Sequence, residues 1–172
     1  TISNFTPKPH TPFQWHSVSS TEFLRRQQLL KDEFFNLKSK NIKVNFTDVR
    51  ISAIEDFLGR GDRRLAPVIE SAWKRGAGMD AWFESQDRAY NAWSTAINEA
   101  GLKNQLRKLE MGNWGSAQNL GKENLNQFCS KVLPWDHIDT GIEKNWLIKD
   151  LQKALEAVTV PDCSFESCSS CG

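Results

Sequence analysis

Cys163, Cys168 and Cys171 crowd the end of this 172-residue chain with the spacing C-x4-C-x2-C. Thiolates are soft, anionic donors that suit zinc or iron–sulfur clusters. A two-residue gap lets two sulfurs converge on one ion, and a third sulfur close by strengthens the pattern. Three thiolates leave one coordination position open, for Cys129, His137 or a donor from elsewhere. We therefore take Cys163, Cys168 and Cys171 as candidate metal ligands. The alternative is an ordinary flexible tail with reactive thiols.

Three further clusters carry polar chemistry. In Pro134-Trp135-Asp136-His137-Ile138-Asp139 a histidine stands between two carboxylates, a pattern that can orient a metal ligand or tune a proton-transfer group. The same residues can form a helix entry, with Asp139 or Thr140 as the cap and Trp135 packing inward, and this reading is favoured. Gly59-Arg60-Gly61-Asp62-Arg63-Arg64 places glycines and three arginines before a helix start. That suits a phosphate or carboxylate, but a tight helix–helix turn with solvated charges is favoured slightly. Pro9-His10-Thr11-Pro12-Phe13-Gln14-Trp15-His16 either lines a pocket with two histidines or forms a rigid loop over the open end of a core. No catalytic residue is assigned.

These clusters need elements to hold them. Thr1 to Phe5 reads as a strand that lacks a sheet of its own, and the prolines at 7, 9 and 12 exclude helix there. Ser19-x-x-Glu22 is a capping box opening a helix that carries Phe23, Leu30, Phe34 and Leu37 and ends near Lys38 to Lys40. Ile42, Val44 and Phe46 alternate as a short strand. Ile51, Ile54, Phe57 and Leu58 fit a helix that stops at Gly59-Arg60-Gly61. Asp62 caps the next, with Leu65, Ile69, Ala72 and Trp73 inward, Pro67 in its first turn and Gly76 and Gly78 at its end. Ser85 caps a further helix with Ala89, Trp93, Ala96, Ile97 and Ala100 inward, closed by Gly101. Gly112 to Asn126 shows no clean period and reads as a linker or long loop. Thr140-x-x-Glu143 is a second capping box, before a helix carrying Leu147, Leu151, Ala154 and Leu155 that ends by Pro161. The fold expected is mainly α with two short strands. Phe23, Leu30, Phe34, Leu65, Ile69, Trp73, Trp93, Ile97, Leu147 and Leu151 should be largely buried.

The charge balance, 22 basic against 21 acidic residues for a net +1, argues against a strong nucleic-acid or acidic-membrane surface. No apolar run approaches the roughly 20 residues of a spanning helix, and no signal peptide is visible. A cytoplasmic protein is expected. Cysteines clustered in such a chain favour metal over a disulfide framework.

Four segments together resemble the B12-binding (cobalamin-dependent) radical SAM family. Asn4 to Trp15 (NFTPKPHTPFQW) resembles the family's last core strand and following loop. Arg60 to Leu65 (RGDRRL) and Leu133 to Gly141 (LPWDHIDTG) are similar to two of its motifs, and Pro161 to Gly172 to its cysteine-rich end. The segments occur in the expected order; Lys103 to Gln127 matches nothing in the family. The resemblance implies a longer protein, with a cobalamin domain and a radical SAM barrel upstream. There a CxxxCxxC loop holds a [4Fe–4S] cluster that cleaves S-adenosylmethionine. This chain contains no CxxxCxxC, so it should not generate a radical.

The resemblance thus implies four regions: 1–16, the end of the barrel; 17–111, a helical accessory domain; 112–133, a linker; and 134–172, a C-terminal helix and cysteine-rich tail. It implies an auxiliary iron–sulfur cluster or zinc at the tail. The partners would be the rest of its own longer chain, barrel and B12 domain, and an unknown substrate, with no membrane. The alternative is a non-catalytic zinc-knuckle module whose arginines and tryptophans grip RNA or protein. The plainest reading is a helical interaction domain with a flexible tail.

Overall fold

The computed structural model describes residues 1–38, 40–112, 122–165, 168–169 and 171. Its helices are α1 (Ser20–Asn36), α2 (Val49–Gly59), α3 (Ala66–Lys74), α4 (Gln86–Glu99), α5 (Lys103–Glu110), α6 (Lys122–Cys129) and α7 (Lys144–Leu155), with a 3₁₀ turn at Arg63–Leu65 before α3. The mainly helical expectation holds. Among the described residues the β structure is limited to isolated bridges, Ile2 with Phe46 and Ser19 with Met111. No helix among them is long and apolar enough to cross a membrane.

The chain divides into two compact units, one of Thr1–Thr6 and Ser17–Trp114, the other of Pro7–His16 and Gly115–Gly172. The division runs through the segment 1–16 that the sequence reading kept together. The expected linker 112–133 carries α6; of it, 113–121 lie outside the described residues.

In the first unit the two expected strands meet, but only at one parallel bridge. Ile2 N–H donates to Asn45 O (2.8 Å) and Thr47 N–H to Ile2 O (3.1 Å). Side chains then take over from the ladder. The Thr47 carbonyl accepts from Gln27 Nε2 (2.9 Å) and Asn4 Nδ2 (3.2 Å), and Asn4 Nδ2 also reaches Ser52 Oγ. Gln27 is the buried residue of α1, so this helix docks largely through an amide, while Phe23 packs against the core. Its N-cap is as expected: Ser19 Oγ accepts from Glu22 N–H at 3.4 Å. The Glu22 carboxylate does not return to the cap. Hydrogen bonds from Arg25 and Arg26 engage it and hold its pKa down at about 2.

α2 lies at the centre, packed against α1, α4 and α5. Asp48 caps it by accepting from Arg50 N–H (2.7 Å), and Ala53, Ile54 and Phe57 enter the core. α3 and α4 pack through small residues, Ala72 against the side bearing Ala89, Ala92 and Ala96. Leu106 and Leu109 bring α5, which the sequence reading passed over, into the same core.

Of the ten residues expected inside, Leu65, Trp93, Ile97, Leu147 and Leu151 are buried, and Phe23, Leu30 and Phe34 are half-buried. Ile69 and Trp73 are exposed, which corrects their assignment. The 3₁₀ turn sets the rotation of α3 so that Leu65, Val68 and Ala72 form its inward stripe. This leaves Ile69 and Trp73 on the other side of the helix.

Asp56 is completely buried. Its Oδ1 accepts from Arg60 Nε (2.8 Å) and its Oδ2 from Val18 N–H (3.1 Å). Burial pulls the Arg60 pKa down while Asp56 pushes it back up. Asp56→Ala strands a buried guanidinium. Loss of one member of such a pair costs about 3–5 kcal/mol, so urea denaturation should show a loss of that order. Asp56→Leu with Arg60→Met should recover only part of it: no unpaired charge remains, but the buried Val18 N–H loses its acceptor.

Candidate functional site

The second unit gathers Pro7–Trp15 of the first motif segment with the third and fourth segments. The loop Pro7–His16 is wound by its own hydrogen bonds. Thr11 Oγ1 donates to Lys8 O (2.7 Å), Gln14 N–H to Thr11 O (3.0 Å) and His16 N–H to Phe13 O (2.9 Å). His10 takes the left-handed conformation with φ 55°, unusual for a residue with a Cβ. Gln14, although polar, is buried. Its Oε1 accepts from His10 N–H (3.1 Å) and from Trp135 Nε1 (2.7 Å), a buried bond between residues 121 apart in sequence. This bond joins the HTPFQWH loop to the LPWDHID segment.

Around that joint lies a small apolar core of Trp15, Leu125, Cys129, Leu147 and Leu151, with Phe13, Phe128 and Trp146 against it. The His16 ring meets Phe13 at 5.1 Å and Phe128 at 5.9 Å between centroids. His10 Nε2 and Trp15 Nε1 are shielded from solvent with no hydrogen-bond partner among the described residues.

Asp136 governs the approach to α7. Its Oδ2 accepts from Leu133 N–H (2.9 Å) and from Lys144 Nζ (2.6 Å). Burial pushes its pKa up, but the Leu133 amide, the Lys144 ammonium and His10 outweigh it and leave the carboxyl below its usual range. Asp139 Oδ1 closes a turn by accepting from Gly141 N–H (2.8 Å), with Gly141 at φ 74°. The turn reading therefore fits Asp136, but Asp139 closes a turn at Gly141 and does not cap the helix, and the expected capping box does not form either. Glu143 is the N-cap and makes no side-chain cap bond. The left-handed Gly141 redirects the chain after Thr140, and Glu143 N–H donates to Cys171 O instead (2.8 Å). Trp146 Nε1 donates to Ser169 O (3.0 Å). The tail backbone is thus seated on the first turn of α7, beside a groove of about 500 Å³ lined by Trp146, Lys149, Asp150, Gln152, Lys153, Glu156 and Ser169.

The candidate ligands are placed unevenly. Cys163 sits in a turn closed by Asp162, whose Oδ1 accepts from Ser164 N–H (2.8 Å), and is exposed. Cys168 is exposed and Cys171 half-buried, and none of the three is in a disulfide. Among the described residues no group of three or more His, Cys, Asp or Glu side chains gathers as a metal site. Three soft donors so close in sequence have the right chemistry for zinc or an iron–sulfur cluster, but as placed they are not a preformed site.

The proposed fourth donors are also apart from them. His137 is exposed. Cys129 lies in the apolar core, where burial pushes its thiol up to about 11 against a smaller pull from Lys144. In the RGDRRL turn, Arg60 is consumed by Asp56 and Arg64 by Asp62, which also accepts Arg64 N–H (2.9 Å). The turn reading fits, and the three arginines do not converge on an anion. A Cβ at Gly61 would lie 1.8 Å from Leu65 Cδ1, so a larger residue here would push the buried Leu65 side chain aside.

The sequence reading gave no role to Gln14, Lys144, Trp146 or Ser169. Only Gln14, a polar residue among aromatics and histidines, carried a signal. Compared with known proteins, the chain matches no family model, no curated protein and no solved structure.

Two outcomes are expected here. Cys163 and Cys168 should be alkylated rapidly at pH 8, whereas Cys129 should stay unmodified until the protein unfolds, as peptide mass mapping with and without urea would reveal. Trp135→Phe keeps an aromatic ring but removes the indole donor to Gln14 and some buried volume. The lost hydrogen bond and the small cavity should together lower stability by about 1–3 kcal/mol, read from the denaturation midpoint.

Proposed function

We propose that this chain is the C-terminal, non-catalytic region of a B12-binding radical SAM enzyme, with Cys163, Cys168 and Cys171 as ligands of an auxiliary iron–sulfur cluster or zinc ion. The observation that carries the reading is the meeting of Pro7–Trp15 of the first motif segment with the third and fourth segments in one compact unit. Gln14 and Trp135 join the first and third through a buried hydrogen bond. Cys171 of the fourth is held by its carbonyl to Glu143 N–H, just after the third. Segments that pack on one another are expected to recur together, in the order that the resemblance names.

On this reading the chain supplies no radical chemistry, because it has no CxxxCxxC. The work of its own residues is positional. Asp136, Lys144 and Asp139 fix the entry of α7, and α7 fixes the backbone of the tail at Ser169 and Cys171. Two of the tail's anchors are the backbone carbonyls of Ser169 and Cys171. Closing the three sulfurs on an ion requires ordering of the tail, and metal binding supplies free energy for such ordering. A bound cluster or ion would contribute redox or Lewis-acid chemistry there.

The test is anaerobic purification with iron, sulfide and zinc analysis of the parent, Cys168→Ala and Cys171→Ala. Iron with sulfide in the parent and its loss in both variants is expected. Zinc in its place would favour the zinc-knuckle reading, and equal metal content in all three proteins would remove the site. The reconstituted chain, reduced and given S-adenosylmethionine, should yield no 5′-deoxyadenosine; its formation would contradict the assignment of the radical step to another region.

A further inference from the structure

The rotation of α3 that hides Val68 and Ala72 leaves Ile69 and Trp73 outside, 47% and 69% exposed. They lie one turn apart on the same helical face. The loop that follows adds Met79, Trp82 and Phe83, at 65%, 62% and 86%. Five large apolar side chains between positions 69 and 83 thus stand in solvent where α3 ends and the chain leads into α4. Isolated exposed apolar residues are ordinary, but a concentration of this kind marks an interaction surface.

The loop is held rather than loose. Ala77 N–H donates to Ala72 O (3.0 Å), Trp82 N–H to Met79 O (2.9 Å) and Ser85 N–H to Trp82 O (2.9 Å). Trp93 Nε1 pins Asp80 Oδ2 at 2.7 Å. The aromatics are therefore displayed on a fixed support, which lowers the entropy lost on binding.

Charge and area choose the occupant. Two cations at the end of α3 are neutralised within the chain, Lys74 by Glu70 and Arg75 by Glu99. A nucleic acid or an anionic membrane would have to displace these partners. The net charge of +1 imposes little repulsion between copies. A fully exposed aromatic side chain offers on the order of 150–250 Å², so the three aromatics contribute roughly 400–500 Å² and all five residues roughly 600–700 Å². That approaches the about 800 Å² per partner of a standard interface.

We propose that the surface formed by Ile69, Trp73, Met79, Trp82 and Phe83 binds a second copy of this chain, giving a symmetric dimer. The proposal is independent of the tail cysteines and of the radical SAM reading.

Sedimentation of the full 172-residue chain, under reducing conditions from about 1 to about 100 μM, tests it over the affinity range open to an interface of this size. The parent should dimerise. Phe83→Lys, which sets a cation against its symmetry mate, should weaken dimerisation about 30-fold or more, as loss of a central aromatic does. Phe83→Ser should weaken it too, without added charge. All these side chains are exposed, so circular dichroism should show unchanged helix content. Phe35→Ser, at an 81% exposed site on α1, should leave the dimer intact. A parent that stays monomeric to about 100 μM, or a dimer undiminished by both Phe83 variants, overturns the proposal, as does a dimer abolished by Phe35→Ser instead.

Discussion

Asp56 carries a charge at a fully buried position of α2, and the first unit is organised around satisfying it. One carboxylate oxygen takes the Arg60 guanidinium from the next turn of its own helix, and the other takes the Val18 amide from the segment ahead of α1. An unpaired buried charge costs several kcal/mol, so α2 cannot pack without bringing both partners along. Arg60 ends the helix and Val18 begins the approach to α1, so this one carboxylate sets where both segments lie. The apolar core of Ala53, Ile54, Phe57, Val68, Trp93 and Ile97 supplies the larger driving force, but burial is non-directional. The register of the segment ahead of α1 comes from the Val18 amide that Asp56 accepts.

The second unit uses the same logic with a neutral group. Gln14 has one oxygen shared by the His10 amide and the Trp135 indole. Apolar contacts from Trp15, Cys129, Leu147 and Leu151 would tolerate several arrangements of loop and helix. The amide admits few, because each buried donor must find its acceptor. The left-handed His10 belongs to the same arrangement, since its amide must turn inward to reach Gln14. A motif rich in His, Trp and Asp therefore reads as chemistry in the sequence and acts in part as a joint in the fold.

That distinction bears on the tail. Its backbone is fixed at Ser169 and Cys171 by α7, while Cys163 and Cys168 remain in solvent. Three thiols close in sequence lose chain entropy if they converge, and nothing among the described residues offsets that cost. Anchoring one end to a rigid helix reduces it. The arrangement suits a site completed by the ion it binds, as opposed to Cys129, whose thiol is packed away and kept protonated.

Much of the helical framework was legible because it rests on local physics. Ser19 caps α1, glycines close α3 and α4, and apolar spacing marks Leu65, Trp93, Ile97, Leu147 and Leu151 as inside. The cysteine spacing was equally plain, since ligand chemistry depends on residue type and short separation. Partners distant in the chain were not legible. Trp135 meets Gln14 across 121 positions, Cys171 O takes the Glu143 amide from the expected capping box, and Thr47 O spends itself on Gln27 and Asn4 in place of a strand ladder. Helical period alone could not say which stripe of α3 turns inward either: Ile69 and Trp73 are as periodic as Val68 and Ala72. Sequence determined most of the helices and the donor atoms, though not α5 or α6, because caps, periods and ligand spacing act over a few residues. Tertiary structure decided which polar groups were spent on holding the fold and which apolar faces were left uncovered, because both follow from packing between distant segments.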